Sequence, residues 1–309
     1  MNFKTIELDT IGTEESLFTS PEMNTFKIFR GKAFVSKEKI SGRYVIGNPA
    51  SIVLFPDVFP DHDELSKIAT EEQAPMTAFI RKKETGRYDI IYYTPAGESF
   101  GLCGHATLIA AYFLHKEYGQ NNVVFTRDFD GLHHDIKSHV MEGLVKIVMP
   151  AFVPVSVQGV EYGEIVQATG MNENAAYSFY RCNELHDMII VTDDTKALRA
   201  ASPRFSELAG LLAKQNIRGL FVTSRSAETE ADYEVRIFAP HLGIQEDISC
   251  GSANCSLLPL WDKQLNAENN RYSILCPYND NGIKYGGIEL GSYNANTNEV
   301  RIGGSVTEI

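Results

Sequence analysis

The stretch that decides the fold is GLCGHATLIAAYFLHKE, residues 101–117. A loop passes here into a segment with helical spacing, because Leu108, Ala111 and Tyr112 fall near one face. A cysteine at a helix start faces unpaired backbone N–H groups and the positive end of the helix dipole, and both favour the thiolate. Cys103 is therefore a candidate acid–base group whose pKa is expected to fall from its ordinary value toward neutrality.

The same signature occurs again in the second half of the chain. In both copies a strand-like segment ends at a proline, Pro95 or Pro240, and a loop that carries an acidic residue follows. A Cys-Gly-x-Ala segment then opens a helix at Cys103 and at Cys250. The recurrence of all these parts in one order indicates an internal duplication.

Two such helix starts that face each other across a cleft would hold a carboxylate from both sides. Gly104 and Gly251 carry no side chain, so a ligand could approach the backbone closely. One thiolate could remove the proton from the carbon next to the carboxylate, and the opposite thiol could deliver a proton to the other face. Packing is the ordinary role of buried cysteines, and we expect it for Cys182, Cys255 and Cys276.

Two titratable residues accompany the cysteines. His105 lies two residues after Cys103 and could act as an acid, a base or a carboxylate donor, or could bond a nearby carbonyl group. Asp247 lies three residues before Cys250 and could cap the helix or meet a substrate amine. Three further titratable residues are expected to be solvated or at the surface: Glu98, His133 and His134.

Composition narrows the class of protein. The chain has 309 residues, of which 43% are hydrophobic and 22% charged, and its net charge is −12. These values are typical of a globular protein and argue against nucleic acid or an anionic membrane surface as a partner.

No apolar run approaches the roughly 18 residues of a membrane span, and residues 1–18 lack the pattern of a secretory signal. The five cysteines lack zinc-site spacing. We therefore expect a cytoplasmic protein with reduced thiols and without a metal or cofactor, with a homodimer as the default state.

The chain divides into two halves, residues 1–150 and 151–309, at the proline-flanked segment 150–154. Residues 1–24 are expected to form a short extension, and the last strands are expected to cross back to the first half. A helix is predicted over 61–73 with Asp61 as its cap, and a hairpin is predicted around the turn at 84–86. Both halves contain predicted strands and predicted helices.

These motifs resemble those of the phenazine-biosynthesis (PhzF-like) family, whose fold is shared with diaminopimelate epimerase. The resemblance runs from about Phe26 to about Gly304. It rests on Gly47-Asn48-Pro49-Ala50, Thr94-Pro95, Cys103-Gly104-His105-Ala106-Thr107, Glu246-Asp247 and Gly251-Ser252-Ala253. The resemblance implies an α+β fold of two pseudo-symmetric domains, each a mostly antiparallel, barrel-like sheet curled around a central helix, with the active site between them.

Two departures from the family pattern bear on mechanism. The glutamate that serves as proton shuttle in the phenazine isomerases falls on Met76, and a thioether cannot carry a proton. The family's histidine and aspartate map to His105 and Asp247. The position before Gly-Ser-Ala, usually threonine in the phenazine-like members, is Cys250. The related epimerases and racemases carry a cysteine there and at the equivalent of Cys103.

The sequence therefore predicts a cofactor-independent racemase or epimerase that acts on a small amino or hydroxy acid. Cys103 and Cys250 would be its acid–base pair, and His105 and Asp247 would orient the substrate. The residues expected to bind the substrate are Asn48, Gly104, Gly251 and Ser252. Two alternatives remain open. One is a double-bond isomerase that uses His105 and Asp247, and the other is a non-catalytic binding protein on the same fold.

Overall fold

The computed structural model describes residues 26–309 except 130–131, 160, 173–174, 266–269 and 279–283. The expected extension, residues 1–24, lies outside the described residues. Within the described part of the chain, no helix combines the length and apolarity needed to cross a membrane.

Two sets of elements follow one another along the chain. The strands of the first set are β1 Lys27–Val35, β2 Tyr44–Val45, β3 Asn48–Phe55, β4 Thr77–Glu84, β5 Arg87–Tyr93, β6 Ser99–Phe100, β7 Asn122–Phe129, β8 Leu132–Met141 and β9 Leu144–Pro150. Its helices are α1 His62–Glu72 and α2 Gly104–Tyr118.

The second set has the same general order. Its strands are β10 Val155–Val157, β11 Tyr177–Cys182, β12 Asp187–Thr192, β13 Leu220–Arg225, β14 Tyr233–Ala239, β15 Ile244–Asp247, β16 Arg271–Pro277, β17 Lys284–Asn294 and β18 Glu299–Glu308. Its helices are α3 Glu161–Ala168, α4 Thr195–Ala200, α5 Phe205–Lys214 and α6 Asn254–Leu265, with 3-10 turns at Pro240–Leu242 and Gly251–Ala253.

The pairing of the strands shows the pseudo-symmetry. Along β1, β3, β4, β5, β7, β8 and β9 the successive pairings are antiparallel, parallel, antiparallel, parallel, antiparallel and antiparallel. The same series recurs along β11, β12, β13, β14, β16, β17 and β18. The predicted α+β fold with two related, mostly antiparallel sheets is confirmed.

The first sheet closes into an eight-stranded barrel with a strand from the far end of the chain. Strand β18 pairs with β9 through residues 299–305 and with β1 through residues 305–308. It also pairs with β17 of its own set. One strand therefore belongs to both sheets and joins the two halves.

Each sheet surrounds a central helix. Nearly the whole circumference of α2 is buried, including Leu108, Ile109, Ala110 and Phe113 on different sides. The sequence suggested an apolar face, but a helix enclosed by a closed barrel must be apolar all round. Helix α6 is buried in the same way from Asn254 to Trp261.

The predicted local elements agree with the structure where the pattern was strong. Helix α1 begins after Asp61, whose side chain accepts a hydrogen bond from the Glu64 amide. Strands β4 and β5 form the predicted hairpin. Strand β11 and helix α4 were not predicted. Strand β11 is only half-buried and lacks an apolar run, and α4 has six residues of which only Leu198 is buried.

Candidate active site

One cavity of about 550 Å³ receives side chains from both helix starts. Cys103 and His105 come from the start of α2, Cys250 and Ser252 come from the turn before α6, and Asp247 comes from the end of β15. Both cysteines thus line one cavity, which the thiol-pair hypothesis requires.

The two helix starts have the same backbone conformation and touch each other. Cys103 has φ −133° and ψ 110°, and Cys250 has φ −118° and ψ 94°. A Cβ on Gly104 would lie 2.8 Å from the Cα of Gly251, which is closer than any real contact. These glycines therefore permit the backbones of the two halves to meet. They pack on each other, whereas the cavity wall is made by their neighbours.

Asn48 connects the polar side chains of the two halves. Its Nδ2 lies 2.6 Å from Asp247 Oδ1, 2.7 Å from the Ser249 carbonyl oxygen and 3.2 Å from His105 Nδ1. The side chain is fully buried. Asn48 thus stands behind the cavity and positions the two groups that face it.

The neighbours of Asn48 define the proton positions. Nδ2 must point at Asp247 and Ser249, because the opposite orientation would set an amide oxygen against two acceptors. His105 Nδ1 then accepts, and the ring proton on Nε2 is available to the Pro49 carbonyl, which bonds the ring. Cys103 Sγ lies 3.4 Å from the same Nδ1, so the thiol can donate to it. Asn48 Oδ1 is buried without a partner in the described structure.

The expected lowering of the thiol pKa is wrong for both cysteines. Burial raises the pKa of Cys103 far above its ordinary value, although the Ala106 and His105 amides act in the opposite direction. Burial and the Asp247 carboxylate raise the pKa of Cys250, against a hydrogen bond with Ser252. The helix start contributes about 1 kcal/mol, whereas full burial can cost the charged form about 4 to 7 kcal/mol. Both thiols are therefore neutral in the resting cavity.

The two accompanying groups shift in opposite directions. Burial lowers the pKa of His105 to about 3, so its imidazole is neutral near pH 7. Burial raises the pKa of Asp247 to about 6, although hydrogen bonds from Cys250, the Ser249 amide and Asn48 favour its ionised form. The cavity consequently holds two neutral thiols, one neutral imidazole and one carboxyl group that titrates near neutrality.

Met76, the residue onto which the family resemblance maps a glutamate, lines this cavity with only 2% of its surface exposed. Nearby acids do not substitute for it. Glu72 pairs with Arg30 and lies outside the cavity wall. Glu246 reaches the cavity, but both its oxygens accept hydrogen bonds from the buried Arg236.

The remaining sequence-predicted residues lie away from the site. Cys182, Cys255 and Cys276 are buried and do not line the cavity. Glu98 and His133 are exposed, and His134 is half-buried. Among the residues that the structure describes, no group of three His, Cys, Asp or Glu side chains is arranged to hold a metal ion.

Sequence reasoning missed Glu289, a fully buried carboxyl group on β17 that bonds Ser249 and Asn254. The alternation of side chains along β17 was the available signal, because residues two apart point to the same side of a strand. Gly287, Glu289 and Gly291 share one face, and the two glycines pack tightly against Ser249 and Leu258. An acidic residue between two inward-facing glycines indicates a buried carboxyl group with a structural or chemical purpose.

The fold and the site define a class of two-lobed proteins in which paired helix starts share one cavity. Residues 42–308 match the family described as phenazine biosynthesis-like protein, and the chain belongs to this family. An uncharacterized isomerase of Pseudomonas aeruginosa is 31% identical over 233 residues, which cover 75% of this chain and 82% of the relative. The crystal structure of a PhzF-family protein from Enterococcus faecalis is 26% identical, with a TM-score of 0.72 over 92% of this chain and 96% of that one.

A more distant structure shares the architecture. The probable proline racemase from Agrobacterium radiobacter has a TM-score of 0.54 and 9% identity, and covers 92% of this chain and 91% of its own. At this identity the likeness concerns the fold alone. The resemblance stated from the sequence motifs is confirmed at the level of family and fold.

Proposed function

We propose that the protein is a cofactor-independent isomerase that moves a proton at the carbon next to the carboxylate of a small amino or hydroxy acid. Cys103 and Cys250 form its acid–base pair. The observation that carries the proposal is that two thiols from pseudo-equivalent helix starts line one cavity. The name of the Pseudomonas aeruginosa relative, an isomerase, supports the reaction class.

Each thiol has its own proton acceptor. Cys103 can pass its proton to His105 Nδ1 at 3.4 Å, and Cys250 can pass its proton to the Asp247 carboxylate. These acceptors allow a buried thiol with a raised pKa to become a thiolate without contact with bulk water. The Asp247 route is the easier one, because a carboxyl group with a pKa of about 6 accepts a proton at less cost than an imidazole with a pKa of about 3.

The reaction then needs no further reagent. The thiolate takes the proton of the substrate carbon, so that an S–H bond forms, a C–H bond breaks and the electron pair delocalises into the carboxylate. The opposite thiol gives its proton to the other face, so that its S–H bond breaks and a new C–H bond forms. The carbon is inverted and the two sulfurs exchange protonation states.

The substrate carboxylate is held by backbone N–H groups of the helix starts and by the Ser252 hydroxyl. That hydroxyl lies 3.3 Å from Cys250 Sγ and forms part of the cavity wall. Donors at this position would stabilise the charge that develops on the carboxylate when the neighbouring carbon loses its proton.

A double-bond shift catalysed by His105 and Asp247 is the second candidate. It is favoured by the Asn48 amide, which bonds both groups, and by the pKa of Asp247, which lies closer to neutrality than that of either thiol. In this reaction one carboxyl group would remove and return protons on one face of an unsaturated acid, and the thiols would only pack.

Deuterium exchange with solvent distinguishes these functions. A panel of enantiomerically pure amino and hydroxy acids and of unsaturated acids is incubated in D₂O with the wild-type protein and with C103S, C250S, D247N and C182S. The thiol pair predicts that C103S and C250S each lose enantiomer interconversion by about 10³-fold. C182S, which alters a buried thiol outside the cavity, should keep it.

The other outcomes assign the alternatives. Retained exchange in both active-site serine variants, together with its loss in D247N, would replace the thiol pair by the carboxyl shuttle. A folded wild-type protein that exchanges none of the acids would favour the binding-protein interpretation.

A further inference from the structure

A carboxyl group without solvent contact lies behind the second helix start. Glu289 Oε1 accepts a hydrogen bond from Ser249 Oγ at 2.6 Å, and Oε2 accepts one from Asn254 Nδ2 at 2.6 Å. The Cys276 thiol is 3.6 Å from Oε1. Burying a carboxyl group among such neutral partners is costly, so its retention calls for a specific role.

The backbone beneath the site is shaped to bring this carboxyl group close. A Cβ on Gly286 would lie 1.8 Å from the Ile248 carbonyl oxygen, and one on Gly287 would lie 2.3 Å from Ser249 Oγ. Strand β17 can therefore press directly against the loop that leads to Cys250. No other residue type would allow this approach.

The two residues that Glu289 binds flank the segment Cys250–Ala253. Ser249 directly precedes it, and Asn254 directly follows it as the first residue of α6. One carboxylate thus fixes both ends of the turn that presents Cys250, Gly251 and Ser252. A rigid turn is what a thiol at a reacting centre needs, since small displacements of a catalytic group are expensive.

Glu289, Ser249 and Asn254 form a clamp, and this clamp also connects to the polar side chains of the cavity. The Ser249 carbonyl group accepts a hydrogen bond from Asn48 Nδ2 at 2.7 Å, and the same amide donates to Asp247 and lies 3.2 Å from His105 Nδ1. Asn254 Oδ1 accepts a hydrogen bond from the buried Tyr233 hydroxyl at 2.6 Å. The carboxyl group therefore lies at the base of a continuous hydrogen-bond network.

We infer that Glu289 is a positioning residue that acts through Ser249 and Asn254 to hold the Cys250 thiol at the cavity. The inference rests on the proposed function only for the catalytic meaning of Cys250. The placement of the thiol by Glu289 can be tested without any substrate.

The charged or titratable groups that face Glu289 are Asp247 from the β15 loop, Cys276 from β16 and Tyr233 from β14. Burial and the Asp247 charge raise the pKa of Glu289 to about 7, while the hydrogen bonds from Ser249, Cys276 and Asn254 favour the ionised form.

The test measures amide hydrogen exchange of the segment 250–254 and the rate of iodoacetamide alkylation of Cys250. The variants are E289L, which removes both acceptors, and E289Q, which keeps an acceptor for Asn254 and retains the second contact only if the Ser249 hydroxyl turns from donor to acceptor. E289L should speed amide exchange in this segment by about tenfold or more, and E289Q should give a smaller increase. The segment 103–107 at the other helix start should not change.

Exchanging the acid and the amide between positions 289 and 254 should restore the contact. In E289Q/N254D the new amide donates to the new carboxylate, and Ser249 and Tyr233 keep acceptors, so exchange and alkylation should return toward wild-type rates. E234Q, which alters another fully buried carboxyl group in the same half, is the control and should leave segment 250–254 unchanged.

Equal acceleration in segments 103–107 and 250–254 would reduce Glu289 to a contributor to general stability. Wild-type rates in E289Q and E289L, or a swap without rescue, would also overturn the inference. If E289L fails to fold, E289Q and the swap still decide the matter. Because no substrate is used, these results are independent of the exchange experiments with C103S and C250S.

Discussion

The helix start at Cys103 is supported by hydroxyl groups, whereas the one at Cys250 rests on a carboxyl group. In the first half Thr107 Oγ1 donates to the Cys103 carbonyl at 2.6 Å and lies 2.6 Å from the Tyr92 hydroxyl. In the second half Asn254 takes the place of Thr107 and bonds Glu289. The duplication thus preserves the presentation of a thiol while its support has diverged.

The strand register shows where the divergence lies. Tyr88 and Tyr233 each lie seven residues before the proline of the repeated motif. From Tyr88 the register leads through Phe125 to Ile136, and from Tyr233 it leads through Ile274 to Glu289. An isoleucine in one half therefore corresponds to a carboxyl group in the other. The comparison implies that pH acts on the carboxyl group that supports the Cys250 helix start and not on the hydroxyl groups that support the Cys103 helix start.

The largest expected effect concerns this titratable support. Because the folded pKa of Glu289, about 7, lies above its ordinary value of 4.5, its stabilising contribution is full below pH 4.5 and is lost as the pH rises through 7. The free energy of unfolding of E289Q relative to wild type should therefore improve by about 3 kcal/mol between pH 4.5 and pH 7.5. Urea unfolding at a series of pH values measures this difference. A difference independent of pH would contradict the assignment.

The next largest effect is a difference in stability between substitutions at Gly104 and at Gly251, the two glycines that meet where the halves touch. A Cβ on Gly104 would meet backbone atoms of Gly251 at 2.8 and 2.9 Å, whereas a Cβ on Gly251 would meet the Phe34 ring at 3.1 Å and the Gly104 Cα only at 3.2 Å. Backbone cannot yield as a side chain can, so G104A should lower the free energy of unfolding by about 2 kcal/mol more than G251A. Chemical denaturation of both variants checks this order, and equal losses would mean that the halves separate easily.

The smallest effect tests the hydroxyl support of the first helix start. T107V keeps the shape but leaves the buried Tyr92 hydroxyl and the Cys103 carbonyl group without this partner, at a cost of about 1 to 2 kcal/mol. The loss should not depend on pH between 4.5 and 7.5, which makes T107V the control for E289Q. Adding Y92F should recover part of the lost free energy of unfolding, because it removes the buried hydroxyl group that T107V leaves without this partner. A double variant less stable than T107V alone would show that the hydrogen bond between Tyr92 and Thr107 does not support the helix start.

The repeated motif made the central features of the protein predictable. Cys103 and Cys250 at helix starts, the related halves and the shared cavity follow from two short segments with the same order of proline, acid, cysteine and glycine. Residue type and the family resemblance also selected His105 and Asp247, which the structure brings to that cavity. Patterns of this kind are predictable because they are local.

The features that escaped prediction depend on surroundings. The direction of the thiol pKa shift was wrong because burial, which a sequence does not display, outweighs the helix dipole. Asn48 was expected at the cleft wall, but it is fully buried and bonds the residues that form the wall. Glu289 is far in sequence from everything that it holds, so only the alternation of its strand marked it.

Strand β18 has a consequence for how the protein is made. The barrel around α2 closes only when residues 299–308 insert between β1 and β9. A first half that folds during synthesis would keep two unpaired strand edges until the distant segment has left the ribosome. Contacts of such sequence separation slow folding, and open edges invite aggregation in the interval. The closure of the barrel therefore depends on a strand that is made after both of the strands that it joins.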